Sequence, residues 1–213
     1  MPPKTINSDT ARMAAKHLSA HDPFLAPIIA EVGLCTIQPH RNYYQELVDS
    51  IVSQQLSVKA ASTIFKRFLD IFGGKFPEPK AILAKSPEEF RAAGLSYAKA
   101  RYVQDLAQHV IDGSVKFDHL DSLSNEEIIQ ELTAVKGIGE WTVHMFLMFC
   151  MGRADVLATG DLGIRNGVRA LYGLKDVPAP QQVAKIATKH HWHPYETIAC
   201  WYVWQSLENT PVL

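Results

Sequence analysis

Apolar residues in this chain recur at steps of three and four, and no stretch alternates convincingly at steps of two. Tyr44, Leu47, Val48, Ile51, Val52 and Leu56 fall on one side of a helix. The string Ser53-Gln54-Gln55-Leu56-Ser57 closes that run. A second helix is predicted from Val58 to Phe72, with Ile64, Phe65, Phe68, Leu69 and Phe72 inward and Gly73-Gly74 as its stop. Ser86 with Glu89 makes a capping box with Pro87 at the first helical position, and that short helix ends at Gly94. The next helix starts near Ser96, carries Val103, Leu106 and Val110 inward and ends before Gly113. Ser124 with Glu127 repeats the capping-box pattern and launches a helix through Val135.

Beyond the Gly137-Ile138-Gly139 turn, an apolar helix is predicted from Trp141 to Met151, stopped by Gly152. Further helices run from about Leu162 to Tyr172, from Pro178-Ala-Pro180 to about Thr188, and from Tyr195 to Glu208. At the other end, residues 1–23 are polar and mixed, with Ser8 or Asp9 capping a short helix through Leu18. Residues 24–40 read as irregular. The inventory is about ten short helices on short loops, an all-α globule without internal repeat.

A chain of 213 residues is one domain, or two small lobes sharing a core. Hydrophobic residues at 47% suffice for that core and argue against wholesale disorder. No apolar run approaches the roughly 20 residues that span a bilayer, and the start MPPKTINSDTARM lacks a signal-peptide core. A soluble, intracellular monomer without membrane contact is the expectation. Cys35, Cys150 and Cys200 are scattered, with no CxxC or CxxH spacing, so reduced thiols are expected rather than zinc or a cluster. Net charge is -1, from 21 Lys+Arg against 22 Asp+Glu, which excludes a protein held to a polyanion mainly by bulk charge. A local basic patch with backbone donors is still allowed.

Chemistry concentrates between Leu132 and Asp161. Gly137 and Gly139 permit a tight turn with positive φ, and the helix from Trp141 follows with unpaired amide groups at its start. A phosphate oxygen suits those amides, with Lys136 adding a cation, and nothing there reads base identity. On spacing alone an ordinary interhelical turn explains the glycines equally well. Asp161 stands just past the apolar helix, and its plainest role is the N-cap of the helix from Leu162.

The full string LxxVKGIGEWT, followed some twenty residues later by Gly160-Asp161-Leu162-Gly163-Ile164-Arg165, resembles the helix-hairpin-helix superfamily of base-excision DNA glycosylases. Ser53 to Ala61 (SQQLSVKAA) and His191 to Trp204 (HWHPYETIACWYVW) are similar to its AlkA and yeast 3-methyladenine branch. The likeness runs from about Tyr43 to the end. It implies two helical lobes flanking a DNA-binding cleft: residues 40–145, including the hairpin 132–145, and residues 1–39 plus 146–213. It implies damaged double-stranded DNA as partner, abasic-site DNA included. The compartment would be the nucleus in a eukaryote, or the cytoplasm and nucleoid in a bacterium.

The resemblance also assigns residues. Asp161 matches the catalytic aspartate. Gln55 is the first choice for a wedge that fills the gap left by an extruded base, with Gln54 and Leu56 beside it. Trp141 and Trp204 match pocket aromatics, with Tyr43 and Tyr44 as weaker members. Lys136, Gly137, Ile138, Gly139, Trp141, Thr142, Ser57 and Lys59 are the expected phosphate contacts. Trp201 is expected in the core. The hairpin carbonyls of Thr133, Val135 and Ile138 would suit a structural sodium or potassium ion, and no cofactor is required. Relatives that also cut the strand carry a nucleophilic lysine where Trp141 stands, so hydrolysis alone is expected.

The pattern departs from AlkA at several positions. Met145 and Leu162 replace pocket tyrosines, Glu196 replaces an arginine, and Ser57 stands where some yeast-type relatives have histidine. No room is expected for AlkA's N-terminal β-lobe. Two functions are therefore carried forward. One is a monofunctional glycosylase acting on alkylated purines. The other is a weakly active or non-catalytic homologue that binds and distorts DNA at abasic or damaged sites. His190, His191 and His193 lack a carboxylate at ligand spacing and are read as surface histidines.

Overall fold

Side-chain caps at Asn7, Ser57, Ser86, Ser96, Ser124 and Asp161 fix where six helices of this chain begin. In the computed structural model, which describes residues 4–208, twelve α-helices follow one another and no named strand occurs among the described residues. Strand-like pairing there is confined to one isolated bridge, Thr5 to Arg153. No helix among those residues is long and apolar enough to cross a membrane. The chain divides into two compact units. One spans residues 41–146, and the other joins the segment through His40 to the segment from Leu147.

In the 41–146 unit, α3 (Tyr43–Ser53) buries Leu47, Val48, Ile51 and Val52, the stripe expected from its spacing. Helix α4 (Val58–Asp70) is capped by Ser57, whose hydroxyl accepts from the Ala60 N–H at 3.4 Å, and it seats Phe68 in the core. A short α5 (Pro79–Leu83) follows, then α6 (Pro87–Ala92) behind the Ser86–Glu89 capping box. Helix α7 (Tyr97–Ile111) is capped by Ser96 and packs against α3, α5 and α6. The second capping box, Ser124–Glu127, starts α8 (Asn125–Thr133), which packs on α9 (Glu140–Met145). Phe68, Phe90, Val103, Leu106, Ile128 and Leu132 have no exposed surface. Burial contributes roughly 1.5–3 kcal/mol for each such large side chain.

In the other unit, α1 (Ser8–His21) is capped by Asn7 rather than by Ser8 or Asp9. The Asn7 carboxamide oxygen accepts from the N–H groups of Asp9 and Thr10. Helix α2 (Leu25–Val32) occupies a segment read as irregular. Its entry is fixed by Asp22, whose Oδ1 accepts from the Phe24 and Leu25 N–H groups at 2.9 and 3.1 Å. Helices α10 (Leu162–Leu171), α11 (Pro180–Lys189) and α12 (Glu196–Glu208) complete the unit, with α12 packed against α1, α2 and α10. The predicted Trp141–Met151 helix is regular only to Met145 and then widens into a π-turn, Phe146–Cys150. Such turns are frequent at functional sites.

Candidate functional site

The glycine turn is built around two positions at which a side chain has different consequences. Gly137 has φ +86°, and a Cβ there would lie 2.2 Å from the Tyr102 ring, so the turn is pressed flat against α7. Gly139 meets open space and forms the N-cap of α9. Ile138 between them is buried, and its N–H donates to the Val135 carbonyl at 3.1 Å. Asp105 of α7 fixes the entry to the turn. Its Oδ2 accepts from the Lys136 N–H at 2.8 Å, and its Oδ1 lies 3.3 Å from the Lys136 ammonium. The exposed Lys136 side chain is thus partly neutralised by Asp105.

The glutamine string reaches the same place from α3. Gln54 Nε2 donates to the Gly137 carbonyl at 2.7 Å, which ties the end of α3 to the hairpin. Gln55 is exposed and has φ +57°, a left-handed conformation that costs a non-glycine residue of order 1–2 kcal/mol. Gln54, Gln55, Leu56, Gly137, Gly139, Trp141 and Thr142 line a single cavity of about 600 Å³, joined by Ser50, Ser53 and Met145. Trp141 is 53% exposed on the first turn of α9, and Thr142 behind it is buried. The two glutamines therefore do different things. Gln54 braces the turn, and Gln55 stands outward. Ser57 serves as the α4 cap, and Lys59 is exposed on the first turn of that helix.

Asp161 belongs to the other unit. It is half-buried and caps α10, its Oδ1 accepting from the Ile164 N–H at 2.8 Å. Trp204 of α12 donates its indole N–H to the same oxygen at 3.0 Å. Phe149, on the π-turn, lies beside that indole with ring centres 5.7 Å apart. Leu162, next in the chain, is 61% exposed. Beneath, Cys200 is fully buried. Burial raises its thiol to a pKa of about 12, and the Asp161 and Glu196 carboxylates push the same way, so it stays protonated and inert.

Spacing alone did not reveal Gly163. A Cβ at this position would lie 2.8 Å from Trp204 Nε1 and 3.0 Å from Asp161 Oδ1. One turn later, a Cβ on Gly167 would lie 2.4 Å from Val203 Cγ1 and 2.9 Å from the Val203 carbonyl oxygen. These two glycines let α10 approach α12 closely enough for the indole to reach the carboxylate. The four-residue glycine spacing in Gly163-Ile-Arg-Asn-Gly167 was the available signal.

Tyr43 is buried, its hydroxyl donating to Asp121 at 2.7 Å and its ring packed edge-on against Phe146. Tyr44 packs on Phe76 and Phe117, and burial holds its phenol well above its ordinary pKa. Neither lines the Trp141 cavity, because the α3 stripe turns both toward core partners. The surface reading of the histidines holds for His191 and His193, both exposed, and fails for His190. His190 is buried, with Nδ1 3.9 Å from the fully buried Asp22, and Trp192 Nε1 and the Tyr172 hydroxyl donate to Asp22 as well. His193 Nδ1 pairs with Glu196 at 2.9 Å. Trp201 is buried, in accord with a core role.

The family model described as HhH-GPD superfamily base excision DNA repair protein matches residues 48–191. The chain is 39% identical over 197 residues to DNA-3-methyladenine glycosylase 1 of Schizosaccharomyces pombe, spanning 89% of this chain and 85% of that protein. A solved structure of the S. pombe 3-methyladenine DNA glycosylase in complex with abasic DNA matches with TM-score 0.78 and 38% identity, over 91% of this chain and 95% of that one. A DNA-3-methyladenine glycosidase from Bacillus halodurans matches with TM-score 0.83 and 37% identity, over 98% of this chain and 94% of that one.

Proposed function

This chain belongs to the HhH-GPD superfamily of base excision DNA repair proteins, and on that premise we propose that it is a monofunctional DNA-3-methyladenine glycosylase. It hydrolyses the N-glycosidic bond of alkylated purines in double-stranded DNA. The observation that carries the assignment to chemistry is the Asp161 carboxylate, half-buried and held by two donors on one oxygen. The C1′–N bond breaks with its electron pair going to the base nitrogen, which cancels the positive charge that alkylation placed on the ring. The sugar becomes an oxocarbenium-like cation, and a fixed carboxylate stabilises it electrostatically. Water then adds to C1′, its proton passing to Asp161 or to solvent. The products are the free base and an abasic site.

Trp141 stands where strand-cutting relatives carry lysine, so no Schiff base forms and the backbone stays intact. The 41–146 unit supplies the grip and the wedge. Backbone amides around Gly137–Trp141, Thr142, Lys136 and the Ser57–Lys59 turn hold phosphates, and Gln55, flanked by Leu56, fills the space of the displaced base. Trp204, bonded to Asp161, supplies a π-face for a cationic base, and Trp141 lines the cavity beside Gln55. The carbonyls of Thr133, Val135 and Ile138 are the donor set we assign to a sodium or potassium ion. Val135 already accepts from Ile138 and keeps a second lone pair. Such an ion would brace the turn and add positive charge beside a phosphate. The place of work is the genome, in nucleus or nucleoid according to the organism.

The test incubates methylated duplex DNA with the wild-type protein and with Asp161→Asn. Asparagine caps helices as well as aspartate does, so fold is retained while the charge is lost. Base release should fall by about a hundredfold or more, the scale for losing a central electrostatic stabiliser. Undiminished release by the variant would remove Asp161 from the mechanism. No release by either protein, with preference for abasic duplex intact, would establish the binding homologue instead.

A further inference from the structure

Helix α7 presents Lys99, Tyr102 and Asp105 at three-residue steps, so all three lie near one face. Each is engaged with an element of the proposed grip. Lys99 Nζ donates to the carbonyls of Val52 and Gln54, at 2.8 and 2.6 Å. The Tyr102 ring packs closely against Gly137, and Asp105 accepts from the Lys136 N–H. Gln54 closes the ring with its bond to the Gly137 carbonyl. The carbonyls taken by Lys99 lie at the C-terminal end of α3, where helical partners are missing and a cation is favoured.

The residue bracketed by this arrangement is Gln55. Its φ of +57° is unfavourable for a β-carbon and its side chain is exposed, so local packing does not hold it there. A strained conformation persists only where surrounding bonds over-determine it. Here those bonds are the one from the Leu56 N–H to the Ser53 carbonyl at 3.3 Å, which closes a type II turn through Gln54 and Gln55, the two from Lys99 to the Val52 and Gln54 carbonyls, and the one from Gln54 to the hairpin. Burial holds the Lys99 ammonium below its ordinary pKa, as expected for a charge taken partly out of water and supplied with fixed acceptors instead.

We propose that Lys99 is a positioning residue for DNA recognition: by gripping the Val52 and Gln54 carbonyls from α7, it holds Gln55 outward at a fixed separation from the hairpin. This rests on the reading of Gln55 as the wedge. Lys99 itself touches no DNA. It makes wedge and phosphate grip one rigid piece, so that a duplex held by its backbone meets Gln55 at a set register. A preorganised wedge favours DNA with a gap to fill over DNA without one.

The experiment measures equilibrium binding of the full chain to a duplex with one abasic-site analogue and to the matched intact duplex, at one salt concentration. Lys99→Met keeps the aliphatic stem and removes every donor. Affinity for the abasic duplex should fall about tenfold while affinity for intact duplex changes less than about twofold, so discrimination collapses. A merely structural loss would lower both affinities together. Gln54→Met, which cuts the bond to Gly137, is measured alongside and should move discrimination in the same direction, which keeps the test open if Lys99→Met folds poorly. A folded Lys99→Met with wild-type discrimination would overturn the proposal and leave the wedge reading standing. Wild-type protein that binds both duplexes equally would overturn the wedge reading and this proposal with it.

Discussion

Trp204 donates its indole N–H to Asp161 Oδ1 at 3.0 Å, onto the oxygen that also receives the Ile164 N–H at 2.8 Å. Two donors from different helices converge on one carboxylate oxygen, which sets the plane of the carboxylate as well as its position. Trp204→Phe keeps a flat ring next to Phe149 and deletes the donor together with part of the indole's area. Hydrogen bonds to charged groups are worth about 1.5–3 kcal/mol, so base release from methylated DNA should fall roughly ten- to hundredfold. A rate within twofold of wild type would reduce Trp204 to a ring in the pocket.

Gly163 and Gly167 lie one turn apart on α10, and alanine at each should fail differently. At Gly163 the new methyl meets Trp204 Nε1 at 2.8 Å, and the half-buried indole moves off Asp161. Alanine favours helix by about 0.8–1 kcal/mol over glycine, which offsets much of the packing cost. Gly163→Ala should therefore melt near the wild-type temperature while base release falls about tenfold, the scale of one lost hydrogen bond. At Gly167 the methyl meets a backbone oxygen at 2.9 Å, which no rotamer change relieves. Gly167→Ala should lose about 1–3 kcal/mol of stability, the usual cost of overpacking. Melting curves and base-release rates on the two variants separate these outcomes.

Most of the helices were legible because their start signals are local. Ser86, Ser96 and Ser124 each accept a bond from the backbone three residues on, and that pattern is visible in the string itself. Helix α2 escaped because Phe24 at its cap position offers no side-chain acceptor and Pro27 sits inside it. Its acceptor is Asp22, buried through bonds from Trp192 and Tyr172 far along the chain. The same long-range contacts buried His190. In the site, glycine turn and aspartate were visible as residue types at telling positions. The division of labour between Gln54 and Gln55 was not, since it depends on which amide meets Gly137, 83 residues away.

Gly137 gives a prediction about the hairpin alone. Its φ of +86° penalises any side chain, and a methyl would sit 2.2 Å from the body of the Tyr102 ring. Strain and overpacking together put Gly137→Ala about 2–4 kcal/mol below wild type in stability. For a chain of this size that is a fall of roughly 4–16 °C in melting temperature. Gly139→Ala meets open space and has no positive φ, so its melting temperature should stay within about 2 °C of wild type, as for other substitutions away from packed contacts. Equal melting temperatures for the two variants would contradict the packing of Gly137 on Tyr102.

His144, on α9 behind Trp141, makes the stability depend on pH in a definable window. Its side chain is 14% exposed, and burial lowers its pKa, while Glu140 at 3.7 Å pulls it part of the way back. The unfolded chain therefore binds this proton more readily than the folded one. The neutral, buried state costs nothing above the unfolded value of about 6.5, and stability is lost as pH falls below it toward the depressed folded value. Glu89, held low chiefly by Lys85 and then by Ser86, and Glu127, held low by Ser124, lose their contribution only at lower pH, below the carboxylate range of about 4.5. His144→Gln removes the titration and keeps the polarity. Between about pH 7 and pH 5, wild-type melting temperature should drop more steeply than that of His144→Gln. Parallel curves would mean that His144 protonates as easily in the fold as in the unfolded chain, against its burial.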